Sequence, residues 1–143
     1  MSGRLLDVNV LLALVDEGHV HHEMANSWFA KVRSGGWATC AITENAFVRI
    51  LSRPSYINSP GDVSITLPML RQLRNVPKHE FWAADVALLD ILEPGVPIAP
   101  SQITDVYLLG LAEYRGGKLA TLDRRIPVHA VRGGAEAIEF VID

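Results

Sequence analysis

An α/β domain built on a mostly parallel sheet is what this sequence predicts, and three observations carry the prediction. Short apolar runs at 4–6, 37–42 and 118–122 stand between longer segments whose apolar residues recur at helical spacing. The two kinds of segment alternate along the chain, as a sheet with helical crossovers requires. Runs such as WATCAI and KLATL are mostly apolar with no strict alternation, as strands covered on both faces are.

The elements follow in order. Residues 4–6 form a strand, Asp7 a turn, and a first helix runs from about Asn9 through VNVLLALV, which is too long and leucine-rich for one strand. His19 to His22 make a loop or helix entry. In 22–33, Met24, Trp28, Phe29 and Val32 share a helical face, and Ser34-Gly35-Gly36 ends that helix. WATCAI (37–42) is a buried strand, with Thr43 as N-cap of a helix that stops before Pro54. Residues 55–61 are loop. A helix over 62–75 turns Ile65, Leu67, Leu70 and Leu73 inward, and Pro68 either kinks it or marks its start. A weak strand at 79–82 and a helix at 83–92 follow, then a rigid connector from Pro94 to Pro100. Ser101 caps a helix over 102–115 that Gly116-Gly117 ends. KLATL (118–122) is a buried strand, and 138–142 adds a last strand at the sheet edge.

At 143 residues the chain is expected to be one domain, 1–143, able to bury its own core. An apolar share of 49% and a charged share of 20% belong to a soluble globular protein. No apolar stretch is long enough to span a membrane, and Asp7 and Asn9 interrupt the apolar N-terminus where a signal peptide would need continuity. The single cysteine, Cys40, in an apolar run fits a buried thiol in a reducing cytoplasm. A net charge of −3 does not mark a nucleic-acid-coating module. With four carboxylates sequestered around divalent ions, the remaining surface would be nearly neutral to slightly basic.

Those four are Asp7, Glu44, Asp105 and Asp123, each a lone charge against an apolar stretch. An isolated carboxylate beside a buried strand is costly unless something neutralises it. Asp7 and Asp123 each follow a strand, while Glu44 and Asp105 fall near helix starts. In an open parallel sheet, ligands bind outside the carboxyl ends of the strands, where helix N-termini favour anions. One crevice there would collect all four. Taken singly, each has another explanation: Asp7 as a helix N-cap, Glu44 and Asp105 as first-turn acids, Asp123 as a turn residue paired with Arg124 or Arg125. The functional case rests on their occurring together.

The segments LLDVN, ITENAFVRIL and ITDVYLLGLAEYRGGKLATLD, in this order, resemble the PIN-domain nucleases, and most closely the VapC-type toxins of bacterial toxin–antitoxin pairs. The resemblance covers residues 4–125, with 55–100 contributing nothing. It implies a three-layer sandwich, a mostly parallel sheet of four or five strands flanked by helices. The family's acidic ligands fall on Asp7, Glu44, Asp105 and Asp123, and Asn9 and Thr121 would orient carboxylates or water. Oxygen-only ligands suit Mg²⁺ or Mn²⁺. The implied activity is an endoribonuclease that hydrolyses RNA with metal-activated water and leaves a 5′-phosphate and a 3′-hydroxyl. The implied partners are RNA, a second copy of the chain and a small antitoxin lying across helices 9–15, 22–33 and 43–53, whose arginine would enter the carboxylate site.

Other residues carry weaker signals. Arg49 and Arg53, on one helix after Glu44, and Arg124 and Arg125, after Asp123, are candidates for RNA phosphate contacts or for ordinary solvated charges. His19, His21, His22 and Glu23 could bind zinc, but loop packing explains them better. Trp28, Phe29, Phe47 and Trp82 lie on apolar faces and are expected in the core. Two other classes compete with the nuclease. An aspartate-nucleophile phosphatase or phosphotransferase wants a second aspartate where Asn9 stands and a nearby lysine, whereas Lys118 begins a strand. A non-enzymatic phosphoacceptor domain has the same lysine problem and leaves Asp105 unexplained, and a non-catalytic α/β binding module stands as a further class that metal-dependent RNA cleavage would separate from the nuclease.

Overall fold

The computed structural model describes residues 3–142. Five parallel strands form one sheet in the order β3-β2-β1-β4-β5, with β1 at Arg4–Leu6, β2 at Trp37–Cys40, β3 at His79–Trp82, β4 at Lys118–Thr121 and β5 at Ile138–Phe140. Six α-helices cover it: α1 (Val8–Val15), α2 (His22–Val32), α3 (Ala41–Leu51), α4 (Val63–Arg74), α5 (Leu88–Ile91) and α6 (Ile103–Tyr114). Alternation along each strand divides the core in two. Leu6, Trp37 and Ala120 pack with α1 to α4 on one face. Leu5, Ala38, Cys40 and Leu119 pack with α5 and α6 on the other. Both faces being covered explains why β1 and β4 carry no alternating pattern.

The edges are less apolar. Glu80 and Phe81 of β3 are exposed. At the other edge, Glu139 of β5 accepts from Arg4 Nε at 2.8 Å and Trp28 Nε1 at 2.9 Å, which ties the strand to β1 and α2. Helix α6 ends as a Schellman turn. Gly117 N–H bonds Ala112 O and Gly116 N–H bonds Glu113 O, with Gly116 at φ 72°. The chain re-enters the sheet directly, since Lys118 N–H donates to Gly3 O.

Several boundaries differ from the sequence reading. The strand expected over 37–42 stops at Cys40, because α3 begins at Ala41. Thr43 is therefore not the N-cap but the third helical residue, and its hydroxyl accepts from Cys40 N–H, the end it was expected to cap. Helix α3 ends at Leu51, which leaves Arg53 beyond it. Ile65 and Leu67 face outward, at 48% and 47% exposure, while Thr66, Leu70 and Leu73 face in. The short, polar Thr66 escaped an apolar-periodicity argument, yet its hydroxyl is buried against Ser52 Oγ at 2.6 Å. Pro68 lies inside α4, whose N-cap is Asp62. Of the helix expected over 83–92 only Leu88–Ile91 is helical. Ser101 lies inside a 3₁₀ turn and does not cap α6, for which no side-chain cap forms; the side chain of Gln102 accepts from Ala99 N–H at the start of that turn.

Candidate active site at the carboxyl end of the sheet

Asp7 closes β1 and caps α1. Its extended backbone lets Oδ1 accept from Val8 N–H at 2.7 Å, so the N-cap role and a place in the crevice are compatible. Its Oδ2 accepts from the Thr121 hydroxyl at 2.8 Å, at the carboxyl end of β4. Thr121 Oγ1 in turn receives Asn9 Nδ2 at 3.2 Å and Asp123 N–H at 3.0 Å, and Asn9 Oδ1 receives Leu122 N–H at 3.2 Å. One buried hydroxyl thus locks together the ends of β1 and β4, the start of α1 and the turn that carries Asp123.

The electrostatics single out Asp7. It is 2% exposed, and its pKa is raised to about 6, first by burial and then by the negative charges of Asp105 and Asp123, against the lowering effect of the Thr121 and Val8 hydrogen bonds. Asp105, in the first turn of α6, is also raised, by burial and by Asp123, with Arg125 opposing. Among the described residues the ion pairs involve Glu44, Asp85, Glu93, Asp123 and Glu139; neither Asp7 nor Asp105 has a basic partner. One surface cation stands among them, Arg125, against Asp123 at 3.3 Å. The set is close enough to couple electrically, though no three potential ligand side chains among the described residues close into a ligand cluster. A buried carboxylate with no basic partner, feeling the charge of two others, offers the oxygen chemistry that a hard divalent cation takes.

Glu44 stands apart from these three. Leu5 and Leu119 belong to the α6 face, and Asp7 and Thr121, two residues further along, keep that side. Thr39, two residues after Trp37, keeps the α1–α4 side, and Glu44 bonds to it: Thr39 Oγ1 donates to Glu44 Oε2 at 2.6 Å. Arg74 NH1 reaches the same carboxylate at 3.3 Å. His79 Nε2 lies 2.8 Å from the Thr39 hydroxyl. Neither Thr39 nor His79 was marked by the sequence; each is an isolated polar residue on a strand, visible only once β2 and β3 pair.

The candidate phosphate-binding arginines divide. Arg125 reaches Asp123, whereas Arg124 packs over the Phe140 ring at 4.6 Å. Arg49 and Arg53 line a groove of about 810 Å³ between α3 and α4, together with Glu44, Val63, Leu67 and Phe81. The histidines serve loop structure: His19 Nδ1 accepts from His21 N–H, and His22 Nδ1 lies 2.8 Å from Ala13 O. Trp28, Phe29, Phe47 and Trp82 are all buried. Lys118 begins β4, whereas Asp123 follows its other end, and Asn9 is committed to Thr121 and Leu122. Neither serves an aspartate phosphatase.

A parallel sheet in this order, with acidic side chains gathered at its carboxyl end, is the PIN architecture, and the PIN domain family model matches residues 4–131. The chain belongs to the PIN-domain family. Among proteins of Mycobacterium tuberculosis it is similar to ribonuclease VapC44, 43% identical over 134 residues that cover 92% of this chain and 94% of that protein. It is also similar to ribonuclease VapC39 of the same organism, 39% identical with 94% and 98% covered. Among solved structures it resembles a chain of DNA-bound VapBC from Salmonella typhimurium, with a TM-score of 0.63 at 16% identity and 98% of each chain covered. A chain of DNA-bound VapBC2 from Rickettsia felis aligns at a TM-score of 0.61 and 12% identity, covering 96% of this chain and 97% of that one. These two likenesses concern the fold.

Proposed function

We propose that this chain is a metal-dependent endoribonuclease and the toxin of a toxin–antitoxin pair, acting on RNA in the cytoplasm. The observation that carries the proposal is the buried Asp7 carboxylate, lacking a basic partner and coupled to Asp105 and Asp123 at the carboxyl end of the sheet. Asp7, Asp105 and Asp123 would hold Mg²⁺ or Mn²⁺, with Glu44 as the fourth carboxylate on the α3 side. Such a cation, when bound, lowers the pKa of water and neutralises charge on a phosphodiester. The protein's own part is placement. Thr121 holds Oδ2 of Asp7 and fixes the turn of Asp123, and Asn9 holds Thr121. The N-termini of α1, α3 and α6 open on the same end of the sheet and favour an anionic substrate. Arg125 at Asp123, and Arg49 and Arg53 beside Glu44, are suited to hold neighbouring RNA phosphates.

The relatives named ribonucleases and the structural neighbours described as VapBC support the reading of a toxin with a cognate antitoxin. Working as a homodimer, two such sites would share one RNA-binding face. The test is cleavage of a defined RNA by the purified protein with Mg²⁺ or Mn²⁺, loss of cleavage in chelator, and mapping of the ends. The expected products carry a 5′-phosphate and a 3′-hydroxyl. Growth arrest on expression, relieved by a small neighbouring protein, tests the toxin half.

A further inference from the structure

We propose that Thr39 and His79 are positioning residues for Glu44, joined to it by a hydrogen-bond chain that runs from the edge strand β3 to the fourth carboxylate. The proposal rests on the nuclease reading above and assigns a role to two residues outside the set of acids.

The direction of the chain follows from donor counting. Thr39 is fully buried on β2, and its hydroxyl oxygen lies 2.6 Å from Glu44 Oε2 and 2.8 Å from His79 Nε2. A hydroxyl has one hydrogen, and an ionised carboxylate only accepts. Thr39 therefore gives its hydrogen to Glu44, and the imidazole must donate from Nε2. The sequence of bonds is His79 Nε2–H to Thr39 Oγ1, then Thr39 O–H to Glu44 Oε2.

The far end of the chain is rigid. His79 is the register partner of Trp37, and the two rings meet edge-on at 4.6 Å. Trp37 is itself held by Phe29 at 5.1 Å and by donation from its Nε1 to Pro77 O at 3.1 Å. Arg74, the other contact of Glu44, has a side chain 41% exposed and sits at 3.3 Å, a contact that water and salt can replace. Only the Thr39 bond is built into the core. Glu44 has a long side chain with three torsions, and anchoring Oε2 removes most of that freedom. It leaves Oε1, which meets only Arg74 at 3.4 Å, as the less constrained oxygen of the carboxylate.

The test uses the whole protein in four variants: Thr39→Val, which keeps shape and removes the hydroxyl; Thr39→Ser, which restores it; His79→Leu; and His79→Gln, whose amide can donate from a similar place. Mn²⁺ affinity is measured by calorimetry and RNA cleavage by kcat and KM, with thermal unfolding as the check on folding. Loss of an outer partner of a metal-site carboxylate lowers affinity or activity roughly 10- to 100-fold. Thr39→Val and His79→Leu should each lose on that scale in Mn²⁺ affinity and in kcat, with KM little changed, while Thr39→Ser and His79→Gln stay near wild type. In a Glu44→Gln background, Thr39→Val should add nothing, because its whole effect passes through Glu44. A folded Thr39→Val or His79→Leu protein with wild-type Mn²⁺ affinity and kcat would overturn the proposal, and so would an equal loss from Thr39→Val in the Glu44→Gln background. Both outcomes leave the wild type active; a wild type that neither binds Mn²⁺ nor cleaves RNA would instead overturn the nuclease reading, and this proposal with it.

Discussion

Replacing Asp7 by Asn should stabilise the metal-free protein while removing its activity, and the size of the gain follows from the site. A rise of the Asp7 pKa from 3.8 to about 6 means that keeping it ionised in the folded state costs about 3 kcal/mol at neutral pH. The asparagine removes that cost but returns one hydrogen bond. Thr121 Oγ1 already receives Asn9 and Asp123, so an amide nitrogen facing it would leave the hydroxyl without an acceptor, a loss of about 1 kcal/mol. A net gain of about 2 kcal/mol raises the melting temperature by roughly 5 °C for a domain of this size. Between the ordinary and the raised pKa, the folded wild type holds a proton that the unfolded chain has released. Wild-type stability relative to the variant therefore falls as pH rises from about 4 to about 6. The gap is flat above that window; below it the ionisation cost is gone, only the lost hydrogen bond remains, and the wild type becomes the more stable by about 1 kcal/mol. Mn²⁺ should reverse the ranking, since a ligand at a hundred times its dissociation constant adds about 2.7 kcal/mol to the wild type alone. Urea or thermal unfolding in chelator and in Mn²⁺, from pH 4 to 8, measures all of this. An Asp7→Asn protein less stable than wild type at pH 7 in chelator, or a gap independent of pH, would refute the reasoning.

Asp105→Asn, which removes a carboxylate without disturbing a hydrogen bond described for it, should keep the fold and lower RNA cleavage roughly 10²-fold or more, on the scale of losing one preorganised electrostatic group; steady-state cleavage by a protein of unchanged melting temperature checks this. Asn9→Ala strips the Leu122 N–H of its side-chain partner and Thr121 Oγ1 of one of its two donors, and should cost about 1–3 kcal/mol in urea unfolding, with wild-type stability arguing against the lock between α1 and β4. Gly110→Ala would place a Cβ 2.0 Å from Ile91 Cγ2, so it should destabilise by about 1–3 kcal/mol, and adding Ile91→Ala, which removes Cγ2, should cost less than the two single losses summed.

Legibility in the sequence followed burial. Strands β1, β2 and β4 are plain in the sequence because both faces are covered, leaving mostly apolar runs without alternation. Asp7 and Asp123 were plain for the same reason: a charge stands out directly after such a run. The segment 83–92 misled because Ala83, Val86, Ala87 and Leu88 carry helical composition, yet Tyr107 and Arg115 bond to Val86 O and Ala83 O and hold that backbone irregular. Hydrophobicity alone points Ile65 and Leu67 inward, yet the buried residues of α4 are Thr66, Leu70 and Leu73. Thr39 and His79 were out of reach, since their connection to Glu44 exists only through the lateral pairing of β2 with β3.

Cleavage of a defined RNA by the purified chain, with and without Mn²⁺, beside the Asp7→Asn protein, tests most directly whether three coupled aspartates make a nuclease. The site described here predicts cuts that need the metal, products ending in 5′-phosphate and 3′-hydroxyl, and no cuts from the variant. Cleavage that persists in chelator, or that the folded Asp7→Asn protein carries out at the wild-type rate, would contradict it.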